Sequence, residues 1–404
     1  MKKLCFICDA NSIHAKNLIS YFQSNFDVYI ISTTSVTKSS YPGLEVEGKI
    51  KFLSGEFEEL SSSEGFGWLQ KVPLWFALLL QNFRHVLLKV KCMAFPILYK
   101  GKVNRLIKKI NPDIVHILRL PYEGYIASSI KGPKIVVTLW GNDLVYWPRI
   151  NFIIKYYTKK ILNKTDLLLP DTCRDKYLAD LYGLRSGVPV WSTPAQGGLL
   201  VKKELAEIKN QSKEEMKASL GLAGKKVIVA NRGFNSWYIK TDELIAAIAE
   251  LVKKDKNYHF FIEGNTHSVG YKKCLQQVEQ FGISEYVTLE KHSRTDFLKL
   301  LRCADVITSM AIYDGLSVSL LESLYLEAFP ILLFQRSYDN WLVNNKNCIF
   351  SENTSDGLAQ SITRYFEEFQ SKSVSINKSN AILLEEKANY ANNLDRLSDL
   401  YTTL

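Results

Sequence analysis

No apolar run in this sequence is long enough to cross a bilayer. The longest, Val72 to Leu80, falls far short of the roughly 20 residues that a spanning helix needs. Paired cysteines are missing too: there are seven, scattered and odd in number, which fits a reducing compartment better than a disulfide framework. Cys5 and Cys8 do form a CxxC, but it lies inside the strand-like run LCFICD without a second pair or a redox loop, so both read as small core residues. After Lys2 and Lys3 the apolar run breaks at Asp9 with no small-residue cleavage site behind it, so no signal peptide is expected and the location is read as cytoplasmic. There is no zinc spacing, no Asp-x-Asp motif flanking a strand, no low-complexity tract and no repeat period. No GxGxxG follows any strand, which leaves a nicotinamide dehydrogenase without its phosphate loop.

What is present is an ordinary globular composition, 47% hydrophobic and 23% charged, over 404 residues, enough for two domains. The charge of +10 is unevenly placed. Residues 1–195 carry 26 Lys and Arg against 15 Asp and Glu, whereas the remainder carries 25 against 26. From Gly65 to Pro112 there is no acidic residue, yet Lys71, Arg84, Lys89, Lys91, Lys100, Lys102, Arg105, Lys108 and Lys109 fall there. Trp68, Trp75, Phe76, Leu79, Leu80 and Phe83 are interleaved with these cations. Two readings stand side by side: an interfacial helix attracted to anionic lipid, or a core helix whose lysines snorkel outward. Nucleic acid is not expected as a partner, because no recognised binding module accompanies the charge.

Along the chain, strand and helix patterns alternate, which predicts α/β architecture with parallel sheets. Strands are expected at LCFIC, DVYIIS, DIVHIL, KIVVTL and DLLLP, then at KVIVAN, YHFFIEG, YVTLE, DVITSM, PILLF and NCIF. Helices are expected near His14 to Phe22, Lys102 to Ile110, Asn151 to Leu162, Asp242 to Lys253, Tyr271 to Phe281, Thr295 to Arg302 and Ser317 to Glu327. PAQGGLL offers a hinge, giving domains at 1–197 and 198–372 and a C-terminal helix at 373–404. Ligands of doubly wound sheets bind at the carboxyl ends of the strands.

The most informative segment runs from Ala304 to Phe334, as a strand, a glycine-containing loop, a helix opening at Ser317 and another strand. Unpaired N–H groups and partial positive charge at a helix start suit a phosphate over Ser317 to Ser319. Asp314 and Glu322 bracket that helix start. On its residues alone the segment reads as an ordinary helix cap with an exposed glutamate.

The segment resembles the signature of retaining glycosyltransferases of family 4, a Glu-x7-Glu pair in the setting EGxxxxxLEAxAxGxP. Here DGLSVSLLESLYLEAFP puts Asp314 in the first acidic place and Glu322 in the second, with Gly315 and the Leu321-Glu322 pair in register. The first acid is Asp rather than the usual Glu, and Glu327 stands where many members have glycine or another small residue. The resemblance implies a GT-B fold, two facing Rossmann-like domains with parallel sheets and an inter-domain cleft. It assigns Asp314, Arg232 and Lys240 to catalysis, the two cations neutralising the donor diphosphate. It places the donor against Gly315, Leu316, Ser317, Val318 and Glu322, and its base near Glu263, Gly264 and His292. His14, His116, Trp140 and Asp143 are the expected acceptor or cleft residues, with TLWGNDL similar to a TxHGxD loop in which Trp140 replaces histidine.

The implied function is transfer of a sugar, with retained anomeric configuration, from a nucleotide-sugar donor to a glycan or lipid-linked acceptor. Bacterial surface polysaccharide assembly is the expected setting. The resemblance implies neither a cofactor nor a metal, and the basic tract at 65–112 adds an anionic membrane surface as an expected partner. Two alternatives remain: a GT-B enzyme of another reaction, such as a sugar-nucleotide epimerase or an inverting transferase, and a non-catalytic sugar-nucleotide-binding partner of an assembly complex.

Overall fold

A computed structural model describes residues 1–34, 41, 44, 48–53, 74–234, 238–266 and 268–404, with side chains from residue 86 onward in the helix that begins at Leu74. Trp68 and Lys71, and the side chains of Trp75, Phe76, Leu79, Leu80, Phe83 and Arg84, lie outside the described residues. The chain forms two units, passing from the first to the second at Gly198–Leu199 and back at Ala388–Asn389; residues 74–82, the start of a helix given below with the first unit, are grouped with the second.

The first unit is laid down as β1 (Lys3–Cys8), α1 (Ile13–Phe22), β2 (Asp27–Ser32), β3 (Ile50–Phe52), α2 (Leu74–Ile110), β4 (Ile114–Leu118), β5 (Lys134–Leu139), α3 (Phe152–Lys164), β6 (Leu167–Pro170) and α4 (Cys173–Leu181). Its sheet runs β3-β2-β1-β4-β5-β6, with every pairing parallel. Covered parallel strands are apolar on both faces, and β4 is buried at all five positions. Cys5 and Cys8 are buried free thiols that desolvation holds well above the ordinary thiol range, in keeping with their reading as core residues.

The second unit follows as α5 (Lys203–Asn210), α6 (Lys213–Ser219), β7 (Lys226–Arg232), α7 (Thr241–Lys254), β8 (Tyr258–Glu263), α8 (Val269–Gln280), β9 (Val287–Glu290), α9 (Arg294–Cys303), β10 (Val306–Ser309), α10 (Val318–Tyr325), β11 (Phe329–Leu333), β12 (Ile349–Ser351), α11 (Ser355–Arg364) and α12 (Ser373–Ala388). Its sheet, β12-β11-β10-β7-β8-β9, repeats the order of the first and is also parallel throughout. Connectivity reverses between β7 and β10, so the loops leaving those two strands diverge and open a crevice at their carboxyl ends. At the opposite end, the buried Lys217 ammonium lies 3.0 and 2.9 Å from the two Asp305 oxygens, and Asp305 accepts the Val227 N–H (2.8 Å), pinning α6 to the starts of β7 and β10.

The structure differs from the sequence reading in several places. β3 was not anticipated. The helix expected at Lys102–Ile110 is the tail of the much longer α2. The C-terminal helical stretch is two helices: Asn389 caps α13 (Tyr390–Thr403) by accepting the Asn392 N–H (3.1 Å), and α13 belongs to the first unit.

α10 closes in a Schellman-type turn, in which the Ala328 N–H reaches the Ser323 carbonyl (2.9 Å) and Glu327 takes φ 70°. This is the left-handed position that glycine fills most easily. Glu327 is instead held by Arg302 at 2.6 Å and by Lys209.

Candidate functional site

In the second unit, β7 delivers Arg232 and β10 delivers the loop ending at Ser317, so both arrive at the carboxyl edge beside the start of α10. Arg232 Nε lies 2.9 Å from Asp314 Oδ2, with 37% of the arginine side chain and 14% of the aspartate exposed. That carboxylate raises the pKa of Arg232 still further above its ordinary value. Gln335, at the end of β11, fixes the loop: its Oε1 accepts the Asp314 N–H (2.7 Å) and its Nε2 donates to the Ala311 carbonyl (2.7 Å).

Ser317 caps α10 by accepting the Leu320 N–H (3.2 Å), while Asn231 Nδ2 donates to Ser319 Oγ (3.0 Å). Lys240 is exposed, and its backbone N–H donates to the Met310 carbonyl (2.9 Å) next to a bridge between Ile239 and Ala311. Arg232 and a helix N-terminus therefore meet one carboxylate at this edge, and their positive charge suits an anionic ligand. Gly315, Ser317 and Val318 lie on this loop and helix start, whereas the side chain of Leu316 belongs to the core.

Glu322 is not the exposed helix glutamate of the plain reading but a buried one, and both its oxygens are taken by Arg294 at the start of α9. Glu263 and His292 come together at the ends of β8 and β9: His292 Nδ1 is 2.7 Å from Glu263 Oε2, and Glu290 is 3.7 Å from Nε2. The hydrogen bond that the ring donates to Glu263 raises the imidazole's pKa. Gly264 donates its N–H to the Glu290 carbonyl (3.1 Å). Gly233, just past Arg232, has no room for a side chain, because a Cβ would stand 2.6 Å from the Glu263 carbonyl oxygen.

The carboxyl edge of the first unit holds His14 and Trp140 with ring centroids 5.7 Å apart, and His14 Nδ1 is 3.0 Å from Gln196 Oε1. Asp143 is buried beneath them as a loop-fixing carboxylate. It accepts the N–H groups of Leu120 (2.9 Å) and Trp140 (3.1 Å), and burial pushes its pKa up to about 6. His116 is a core residue rather than a cleft residue. It is fully buried, with Nε2 2.7 Å from Thr138 Oγ1 and Nδ1 2.5 Å from the Tyr401 hydroxyl, and burial lowers its pKa to about 3, so it stays neutral. At this edge the sequence reading also missed Glu123, which accepts the Thr33 hydroxyl (2.8 Å) and is pushed up to about 8 by burial.

Gln335, Asn231, Gly233 and Arg294 were not singled out from sequence. Each is defined by a partner distant along the chain, except Gly233, whose position after Arg232 at a strand end was a readable signal.

Two family models match in chain order: glycosyl transferase 4-like over residues 84–172, and glycosyl transferases group 1 over residues 212–380. No curated protein matches by sequence. Among solved structures, HepE from Anabaena in complex with UDP superposes with a TM-score of 0.72 at 13% identity, covering 100% of both chains. Sucrose-phosphate synthase from Thermosynechococcus elongatus gives 0.74 at 11% identity, over 100% of this chain and 99% of that one. A glycosyltransferase from Rickettsia africae gives 0.68 at 15% identity, over 100% and 98%. With both domain models matched in order, on paired parallel sheets of the kind these structures share, the chain is a GT-B glycosyltransferase.

Proposed function

We propose that this chain is a retaining glycosyltransferase of family 4, which moves a hexose from a nucleotide-diphosphate donor to a glycan or lipid-linked acceptor in bacterial surface polysaccharide assembly. The observation that carries the donor assignment is the Arg232–Asp314 pair at the N-terminus of α10, at the point where the sheet reverses. The complexes of Anabaena HepE with UDP and with UDP-glucose support a uridine donor.

In this reading the diphosphate lies over Ser317 and Val318, the ribose reaches Glu322, and the base lies toward Glu263, Gly264 and His292. Arg232 and Lys240 take up the charge that develops as the glycosidic C–O bond breaks. The acceptor hydroxyl attacks from the face that the diphosphate leaves and passes its proton to a departing phosphate oxygen, so no strong protein base is needed. Asp314 holds Arg232 and takes hydrogen bonds from the donor sugar; its side chain is one methylene shorter than the usual glutamate. The proposed chemistry uses no bound metal. His14 and Trp140 are assigned to the acceptor.

Product configuration tests the reading. Proton NMR of the new linkage should show the anomeric configuration of the donor; an inverted product would remove the chain from the retaining class, and donor epimerisation without transfer would assign it to a different reaction.

A membrane-proximal acceptor is supported by α2. One face of its described part is buried through Cys92, Phe95, Val103 and Ile107, while Val86, Val90, Ile97 and Leu98 are exposed and run toward the exposed Lys100, Lys102, Arg105, Lys108 and Lys109. Both sequence readings of this helix thus have a face of their own. Among the described residues no helix is long and apolar enough to span a membrane. Changing Val86, Val90 and Ile97 together to serine should reduce co-sedimentation with phosphatidylglycerol vesicles severalfold; unchanged co-sedimentation would remove the membrane from the proposal.

A further inference from the structure

Two stretches of the chain lack acid altogether. One runs from Gly65 to Pro112 and contains α2; the other runs from Leu144 to Thr165, carries Arg149, Lys155, Lys159, Lys160 and Lys164, and contains α3. Folding sets them side by side. The crossovers from β3 through α2 to β4 and from β5 through α3 to β6 step the same way across the parallel sheet, so right-handed connection places both helices on one face. They flank the turn at residues 125–130, where Asn104 of α2 donates to Ser129 Oγ (3.2 Å) and Lys164 of α3 donates to the Ile130 carbonyl (2.9 Å). Asn151 caps α3 by accepting the Ile154 N–H (3.0 Å), and its Nδ2 donates to Met93 Sδ (3.1 Å), tying the start of α3 to α2.

α3 buries Ile154, Thr158, Ile161 and Leu162. It turns Phe152, Lys155, Tyr156 and Lys159 to solvent, a spacing of three, one and three that forms a single helical face. Phe152 is 81% exposed and Tyr156 59%, on the same side of the sheet as the exposed Val86, Val90, Ile97 and Leu98 of α2. Apolar side chains left out of the core together, among cations, mark a surface that meets something other than water. Lysine is depleted where proteins meet each other, whereas lysines interleaved with aromatic rings are the composition of a helix lying on an anionic bilayer. There the rings enter the headgroup boundary, and each lysine stem lies along it with the ammonium among the phosphates.

We propose that α3 is a second membrane-docking element: its Phe152, Lys155, Tyr156 and Lys159 face forms, with the exposed apolar residues of α2, one surface that docks on an anionic phospholipid bilayer. This rests on the reading of the acceptor as membrane-proximal. The turn Trp147–Arg149 joins the Trp140–Asp143 loop to α3, so docking through α3 sets the residues assigned to the acceptor beside the headgroups.

Co-sedimentation of the full chain with vesicles of phosphatidylcholine alone, and of phosphatidylcholine with phosphatidylglycerol, tests the surface. The wild type should bind the anionic vesicles about tenfold or more tightly than the neutral ones. Lys155→Gln with Lys159→Gln should lower binding to the anionic vesicles by about tenfold or more, since each lysine at such a surface is worth about fivefold. Phe152→Ser with Tyr156→Ser should lower it severalfold even at high salt, where the charge attraction is screened. All four side chains are exposed, so the melting temperature should stay within a few degrees and lost binding is not lost fold. Binding unchanged in both double variants would overturn α3 as a docking element; if the Val86, Val90 and Ile97 serine variant still loses binding, the membrane-proximal acceptor stands without it. A wild type that sediments with neither kind of vesicle would overturn both. Self-association of the wild type in lipid-free solution, abolished by Phe152→Ser with Tyr156→Ser in sedimentation velocity, would assign the face to a second copy of the chain instead.

Discussion

Replacing Arg232 by alanine is expected to lower kcat/KM by about 10²–10³-fold, with the donor KM raised as well as kcat lowered, since in the proposed reading the arginine holds the diphosphate before reaction and meets the charge that develops as it leaves. Two effects add. In the proposed reading the cation at the leaving diphosphate is lost, and Asp314, 2.9 Å away in the native chain, no longer has the Arg232 charge against it where the phosphates are placed. The fold should hardly notice. A pair in which the arginine is more than a third exposed contributes no more than about 1 kcal/mol to stability, so the melting temperature should fall by only a few degrees. Arg232→Lys keeps the charge without the fork and should fall between the two. Steady-state kinetics beside a melting curve separates the roles: a variant with normal turnover would remove Arg232 from the chemistry, and one that unfolds would make it structural.

Glu322→Ala should act on the other constant. In the proposed reading its carboxylate meets the ribose and not the reacting carbon, so its contribution is the same before and during bond breaking and appears in KM. Two hydrogen bonds to a charged acceptor are worth about 1.5–3 kcal/mol each, which predicts a KM about 10²-fold higher or more with kcat within a few-fold of wild type. The structural cost is moderate, because Arg294 is more than half exposed and turns to solvent when its partner goes. An unchanged KM would show that the ribose lies elsewhere; a kcat that falls with KM unchanged would move Glu322 from binding to chemistry.

The contrast between these residues shows where the sequence was readable. Eleven of the twelve strands stand out as near-continuous apolar runs because both faces of a parallel sheet are covered; β3, three residues reading Ile-Lys-Phe, carries too little pattern to register. The start of α10 was legible for a local reason, a serine cap behind a glycine loop, and with it came Asp314 and Glu322. The partners of those acids were not equally legible. Arg232 could be named at the end of its strand, but Arg294 follows Ser293 like any helix-opening residue, and its bond to Glu322 joins positions 28 apart. Gln335, 21 positions from the Asp314 N–H it fixes, is invisible for the same reason. His14 and His116 look alike in sequence, each beside apolar residues. Folding puts one against Gln196 and Trp140, and seals the other between Thr138 and Tyr401, a residue supplied by the last helix of the chain. Glu327 shows the converse: its departure from glycine was visible, but not that its backbone takes a left-handed turn secured by Arg302 and Lys209.

The central claim is that the second unit binds a nucleotide sugar through Arg232, and titration calorimetry of UDP-, GDP-, ADP- and CMP-linked sugars into the wild type and Arg232→Ala tests it most directly. Saturable binding of one of these donors by the wild type, lost in Arg232→Ala, is the expected result; no binding of any donor, or equal binding by both proteins, would contradict it.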